Sequence, residues 1–81
     1  MGMEPLIGEL MLYTGDRAPQ GWEVADGREL DIAANMPLFS IIGPRFGGDG
    51  RKTFALPDLR DAAPAAGTLW CIAVEGHYPV F

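Results

Sequence analysis

Gly47-Gly48-Asp49-Gly50-Arg51-Lys52-Thr53-Phe54-Ala55-Leu56-Pro57-Asp58-Leu59-Arg60-Asp61 is the stretch that decides the reading of this chain. Its backbone must turn tightly at Gly47, Gly48 and Gly50, where glycine reaches positive φ without a Cβ penalty. It must then run extended through Phe54, Ala55 and Leu56, because Pro57 disfavours the α region for the residue before it. A short strand is predicted at residues 53–56. The pattern describes architecture rather than catalysis. A phosphate loop needs lysine directly after its last glycine and another glycine five positions before that one, and here Arg51 and Arg45 occupy those places. Asp49 would also put a carboxylate into the cradle meant for phosphate.

Toward the N-terminus, Asn35 followed by Met36-Pro37 reads as a helix start, with Asn35 as cap and proline tolerated in the first turn. Gly43-Pro44 stops that helix. Leu38, Ile41 and Ile42 share one face with Phe39 beside it, while Ser40 points away, so the two-turn helix packs on a sheet. Residues 6–13 read as a strand with Ile7, Glu9, Met11 and Tyr13 on one face and Leu6, Gly8, Leu10 and Leu12 on the other. Both faces are largely apolar, which predicts a central or interface strand. Trp22-Glu23-Val24-Ala25 reads as a second strand, ended by Asp26-Gly27, a hairpin signal after which Arg28-Glu29-Leu30 pairs back to complete a small β meander. Toward the C-terminus, residues 62–68 read as a linker of small residues, and residues 69–74 as a strand buried on both faces. The predicted class is α+β: one domain over residues 1–81, mostly antiparallel strands with one short helix.

Five segments in register carry a resemblance. Ile7-Gly8-Glu9-Leu10, Ala18-Pro19-Gln20-Gly21-Trp22, Asp26-Gly27-Arg28-Glu29-Leu30, Pro37-Leu38-Phe39-Ser40-Ile41-Ile42-Gly43 and Phe46 through Arg60 together resemble the phage tail collar domain across residues 6–61. Residues 69–81, with Gly76-His77-Tyr78-Pro79, resemble the closing strand of larger collar proteins such as the microcystin-dependent proteins, so the chain looks like a minimal version. Ala25, Phe46 and Asp61 depart from the family's usual cysteine, tyrosine and glycine. The resemblance implies that Gly21, Trp22, Asp26, Gly27, Gly47, Gly48, Asp49, Gly50, Leu56, Pro57, Asp58 and Arg60 set turns and strand register. It implies no catalytic residue, no cofactor and no metal.

At 81 residues the chain is one small domain that buries only about 60% of its unfolded surface. Cys71 is the lone cysteine, so no intrachain disulfide can staple the fold, and oligomerisation is the remaining device. A hydrophobic content of 48% with 21% charged residues leaves apolar surface for another subunit. A homo-oligomer is expected, and the resemblance to fibre proteins favours a trimer that meets other tail or baseplate proteins. The net charge of −5, with no lysine cluster, argues against nucleic acid or an anionic membrane as partner. No apolar run approaches the ~20 residues of a membrane span, and no basic segment leads an apolar core at the N-terminus. The expected location is therefore the cytoplasm on synthesis, then a virion or tail-like particle.

Several residues invite sharper readings. Asp26, Asp31, Asp58 and Asp61 suggest a glycosidase pair, but such a pair flanks a cleft, and aspartate beside glycine commonly holds its own turn, with Arg60 or Arg51 available to Asp58. Cys71 lies mid-strand where a thiol is inert packing. His77 could bind a metal only if copies met at a three-fold axis. Trp22, Phe39, Phe54 and Trp70 read as core anchors, and Tyr78 and Phe81 as contact residues or as side chains folded back over the sheet. The reading is a non-catalytic, self-associating structural module of a tail fibre or baseplate. The alternative is a free-standing bacterial module that binds a glycan or protein through its loops.

Overall fold

The computed structural model describes residues 5–80. Its elements are β1 Leu10–Thr14, β2 Trp22–Val24, β3 Glu29–Asp31, α1 Met36–Ile42, β4 Thr53–Ala55, a 3-10 turn Arg60–Ala62 and β5 Thr68–Ala73. They form a three-stranded sheet in the order β1-β5-β2 and a two-stranded sheet of β3 and β4, with antiparallel pairing throughout both. This is the α+β class read from the sequence. The core lies where the two sheets and the helix meet. Ile7, Ile32, Leu38, Phe54, Leu56 and Ile72 form it, and Leu30, Phe39, Ile41, Ile42 and Val74 pack around them.

β5 is the keystone because both β1 and β2 pair with it, Leu10 opposite Ile72 on one side and Glu23 opposite Ile72 on the other. β1 and β2 consequently run in the same direction, so residues 15–21 must travel back across β5 to begin β2. Ile72 faces the core, and alternation turns Cys71 and Ala73 to the other side of the sheet. Both are nonetheless fully buried, while Ala18 and Pro19 in the connection are half-buried. Cys71 is packing, as its mid-strand position suggested, and burial pushes its thiol pKa up.

The strand expected at residues 6–13 is shorter and begins later. Leu6–Glu9 is a tight turn closed by the Glu9 N–H donating to the Leu6 carbonyl at 3.0 Å, with Gly8 at φ 92°. The Gly8 N–H donates to the Ala73 carbonyl, and the Ala73 N–H donates to the Glu9 carbonyl, each at 2.9 Å. Two residues thus oppose one, which is a glycine β-bulge, and only glycine takes the required left-handed conformation freely. The strand is also an outer strand of its sheet rather than a central one.

The β meander is not formed. Asp26-Gly27 does turn the chain, but β2 pairs with β5 while β3 pairs with β4, so the turn passes from one sheet to the other. Distant partners outcompeted the local hairpin because β5 and β4 supply the apolar faces that a two-strand hairpin lacks. The helix spans the expected residues, but Asn35 makes no side-chain cap; its Nδ2 donates instead to the Asp31 carbonyl at 3.0 Å. Of the expected core anchors, Phe54 is fully buried and Phe39 packs edge-on against it at 5.3 Å between ring centroids. Trp22 and Trp70 are only half-buried. β5 is fully buried only from Cys71 to Ala73, and its first three residues are half-buried.

Candidate functional site

Of the four aspartates weighed as catalytic candidates, Asp26 and Asp58 come together at a seam between the two sheets, while Asp31 lies on β3 opposite Thr53 and Asp61 in the 3-10 turn. Asp26 and Asp58 face each other in an antiparallel bridge. The Leu59 N–H donates to the Ala25 carbonyl at 2.8 Å and the Gly27 N–H to the Pro57 carbonyl at 3.3 Å. Each aspartate is clasped by the arginine two residues on. Asp26 Oδ1 accepts from the Arg28 N–H at 3.1 Å and Nε at 2.9 Å, and its Oδ2 accepts from Nη2 at 2.9 Å. Asp58 repeats the arrangement with Arg60, at 3.2, 2.9 and 2.7 Å. Arg28 Nη1 also donates to Glu23 Oε1 at 2.9 Å, which ties β2 to the turn. Of the two partners expected for Asp58, the structure selects Arg60.

These carboxylates are engaged in holding turns. The Arg28 guanidinium lowers the Asp26 pKa, and the Arg60 guanidinium holds the Asp58 carboxyl at about 2. The arginines are shifted up reciprocally, Arg28 by Asp26 and Arg60 by Asp58.

The glycine loop forms a second local lock. Asp49 Oδ1 accepts from three successive backbone N–H groups, those of Thr53 at 3.0 Å and of Lys52 and Arg51 at 2.8 Å, which hold its carboxyl at about 2. The Gly47 carbonyl accepts from the Ala55 N–H at 3.0 Å, so the loop lies along β4, and Leu56 just beyond is fully buried in the core. Gly21 and Trp22 stand apart at the far end of the three-stranded sheet. The Gly21 carbonyl accepts the N–H groups of both Val74 and Glu75, at 2.9 and 3.2 Å.

Asp49 and Asp58 give the fold an acid limb. A carboxyl whose folded-state pKa lies below its unfolded value contributes stability that is complete above the unfolded value and vanishes as pH falls to the folded one. Stability should therefore be flat near neutral pH and fall from about pH 3.8 toward about 2. In urea titrations over this range, Asp49→Asn/Asp58→Asn should lose less stability than the wild type. An unchanged acid limb in the double variant would contradict the assignment.

Among the described residues no group of three His, Cys, Asp or Glu side chains is placed to hold a metal ion. Cavities of about 170 Å³ open at two places among the described residues. One lies beside Trp22 with Gln20 and Glu75, the other beside Trp70 with Arg60 and Leu69. The Trp70 Nε1 donates to the Ala62 carbonyl at 3.1 Å and pins the 3-10 turn to β5. His77 pairs through its backbone with the N-terminal segment, its N–H donating to the Pro5 carbonyl and its carbonyl accepting from the Ile7 N–H, both at 2.9 Å. Tyr78 is half exposed, and its hydroxyl meets Ser40 Oγ on the helix at 2.5 Å. Phe81 lies outside the described residues. Sequence reasoning missed the bulge at Gly8-Glu9, although an isolated glycine inside a strand pattern is its ordinary signal. It also missed the Glu23–Arg28 contact, which no local motif announces.

A family model described as Phage Tail Collar Domain matches residues 8–64. No curated protein and no solved structure matches the chain. The matched segment carries both aspartate–arginine clasps and the glycine loop, and β5 lies beyond it.

Proposed function

Because the chain belongs to the phage tail collar domain family, we propose that it is a non-catalytic structural module of a phage or prophage-derived tail fibre or baseplate, and that it self-associates. One observation carries the reading: Asp26 and Asp58, two of the four aspartates that invited a catalytic reading, each spend their carboxylate on a neighbouring backbone and guanidinium, as Asp49 does on the backbone of its own loop. They fix the seam and the loop that position the strands. Exposed Leu6, Leu10, Leu12, Tyr13, Met36, Phe46 and Tyr78 supply apolar surface for assembly. The resemblance to fibre proteins favours three copies, with other tail or baseplate proteins as neighbours. Among the described residues no helix is long and apolar enough to cross a membrane.

The second reading, a free-standing module that binds a glycan or a protein through its loops, draws on the Trp22 cavity, where an aromatic ring stands beside Gln20 and Glu75. Solution mass separates the two. An assembly module stays oligomeric as it is diluted, and a free-standing module is a monomer.

A further inference from the structure

A chain of net charge −5 meets its own copies against a long-range repulsion, which a contact that sets cations against carboxylates relieves locally. Six arginine and lysine side chains are available for such a contact. Arg28 and Arg60 are spent on Asp26 and Asp58, and Arg17 lies 3.9 Å from Asp16. The other three, Arg45, Arg51 and Lys52, all stand exposed on the glycine loop between α1 and β4. None of them has an ion pair among the described residues. The loop is shaped in advance. The Gly50 N–H donates to the Thr53 carbonyl at 2.9 Å and encloses Arg51 and Lys52 as its tip, while Asp49 Oδ1 accepts the N–H groups of both at 2.8 Å. Asp49 is the one carboxylate of the loop and stands against three cations. Gly50 lies against Pro44, with a would-be Cβ 3.5 Å from the proline Cβ, which brings Arg45 and the 47% exposed Phe46 toward the tip. A loop held in place before contact loses little freedom on binding.

The cavity beside Trp22 is complementary. Pro5, Gln20, Gly21, Trp22, Glu75 and Gly76 line its 170 Å³, close to the volume of about 150 Å³ that accepts a benzene ring. Its wall is a close approach of backbones: Gly76 sits at φ 144°, where a Cβ would collide with the Pro5 carbonyl. Glu75 is exposed and has no ion pair among the described residues. The Trp22 indole N–H makes no bond among them either, whereas that of Trp70 is bound to Ala62. Of the carboxylates outside the clasps, Glu9 accepts the Leu6 N–H, and Glu29, Asp31 and Asp61 line neither cavity. A planar guanidinium suits the Trp22 site, because it stacks on the indole face while its edge donates to the Glu75 carboxylate and the Gln20 amide oxygen.

We infer that the glycine loop of one copy docks on the Trp22 cavity of the next, with Arg51 entering the cavity against Glu75 and Arg45 and Lys52 beside it. This inference rests on the self-association proposed above and names its two surfaces. Loop and cavity are different parts of the molecule, so the contact is heterologous: each copy gives one surface and receives the other. A contact of this kind generates a closed ring, and the ring closes at the three copies that the fibre resemblance favours. Every interface then sets unspent cations against an unspent carboxylate.

The test is a charge swap across the contact, read by light scattering behind a sizing column. Wild type is expected at three times 8.7 kDa. Arg51→Glu and Glu75→Arg should each lower the mass threefold while keeping the native circular dichroism spectrum, since both side chains are exposed. The double variant Arg51→Glu/Glu75→Arg restores the pair with its signs exchanged and should regain the wild-type mass. Arg51→Ala, whose N–H still reaches Asp49, should also lose the oligomer and serves if the reversed charge disturbs the loop. Arg17→Glu changes the net charge as much as Arg51→Glu does but lies outside the contact, and should leave the mass unchanged. Dissociation of Arg17→Glu, or a double variant that stays at 8.7 kDa, overturns the pairing of Arg51 with Glu75. An oligomer that persists in both single variants overturns the contact but leaves self-association standing. A wild type of two copies overturns the ring. A wild type of 8.7 kDa at every concentration overturns contact and self-association together.

Discussion

Gly48→Ala is expected to abolish most of the folded population at room temperature. A Cβ built on Gly48 would lie 2.5 Å from the Phe54 Cα, 2.7 Å from the Thr53 carbonyl oxygen and 2.8 Å from the Phe54 nitrogen. All three are backbone atoms of β4, so no side chain can swing aside to make room. The residue also sits at φ 86°, where a side chain itself costs about 1–2 kcal/mol. Relief requires moving β4, and β4 carries Phe54 into the core. A domain of this length has roughly 4–12 kcal/mol in total, from about 0.05–0.15 kcal/mol per residue. Gly67→Ala is the comparison with a similar φ and no clash, because Gly67 has φ 80° and nothing within 4 Å of its would-be Cβ. Thermal melts of the two variants should differ widely, with Gly67→Ala much the milder. Equal melting temperatures would mean that the loop does not lie against β4 as described.

Phe54→Ala is expected to cost about 3–5 kcal/mol, the range for removing a buried aromatic ring. Phe54 is completely buried and stacks edge-on with Phe39, so the loss joins the helix interface to the cavity left in the core. Against a total of roughly 4–12 kcal/mol this leaves a marginal protein. Denaturant titration should show a collapsed midpoint with little change in slope. Phe39→Ala offers a graded comparison, because its ring is only partly buried. A Phe54 variant that unfolds at the wild-type denaturant concentration would contradict the core assignment. The two sites also couple: Gly48 lies against the backbone that Phe54 hangs from, so the effects of Gly48→Ala and Phe54→Ala should not add.

What was legible in the sequence was mostly local. The helix at Met36–Ile42 was written by Pro37 near its start and Gly43-Pro44 at its end, and its buried face by Leu38, Ile41 and Ile42. The strand at Thr53–Ala55 was written by the glycines before it and Pro57 after it. Asp58 as a turn-holding aspartate was legible too, with Arg60 or Arg51 open as its partner until the structure selected Arg60. What could not be read was which strands meet. Asp26-Gly27 carries a hairpin signal, but turn chemistry says only that the chain bends, and the bend leads to β3 beside β4 while β2 finds β5. The bridge between Asp26 and Asp58, on which the seam depends, joins residues whose local sequences do not mention each other. The two tryptophans also misled. Trp22 begins β2 and Trp70 lies within β5 with its indole N–H bound to the 3-10 turn, and both rings are only half-buried.

The same separation explains why β5 matters beyond its length. The matched collar segment ends at residue 64, and β5 follows it. Without β5, β1 and β2 would have no partner in their sheet and Ile72 would be missing from the core.

The most direct test of the proposed role is the mass of the purified 81-residue chain across a dilution series, by light scattering behind a sizing column. A self-associating module should show a multiple of 8.7 kDa that persists as the protein is diluted through the micromolar range. A mass of 8.7 kDa at every concentration would contradict it and favour the free-standing binding module.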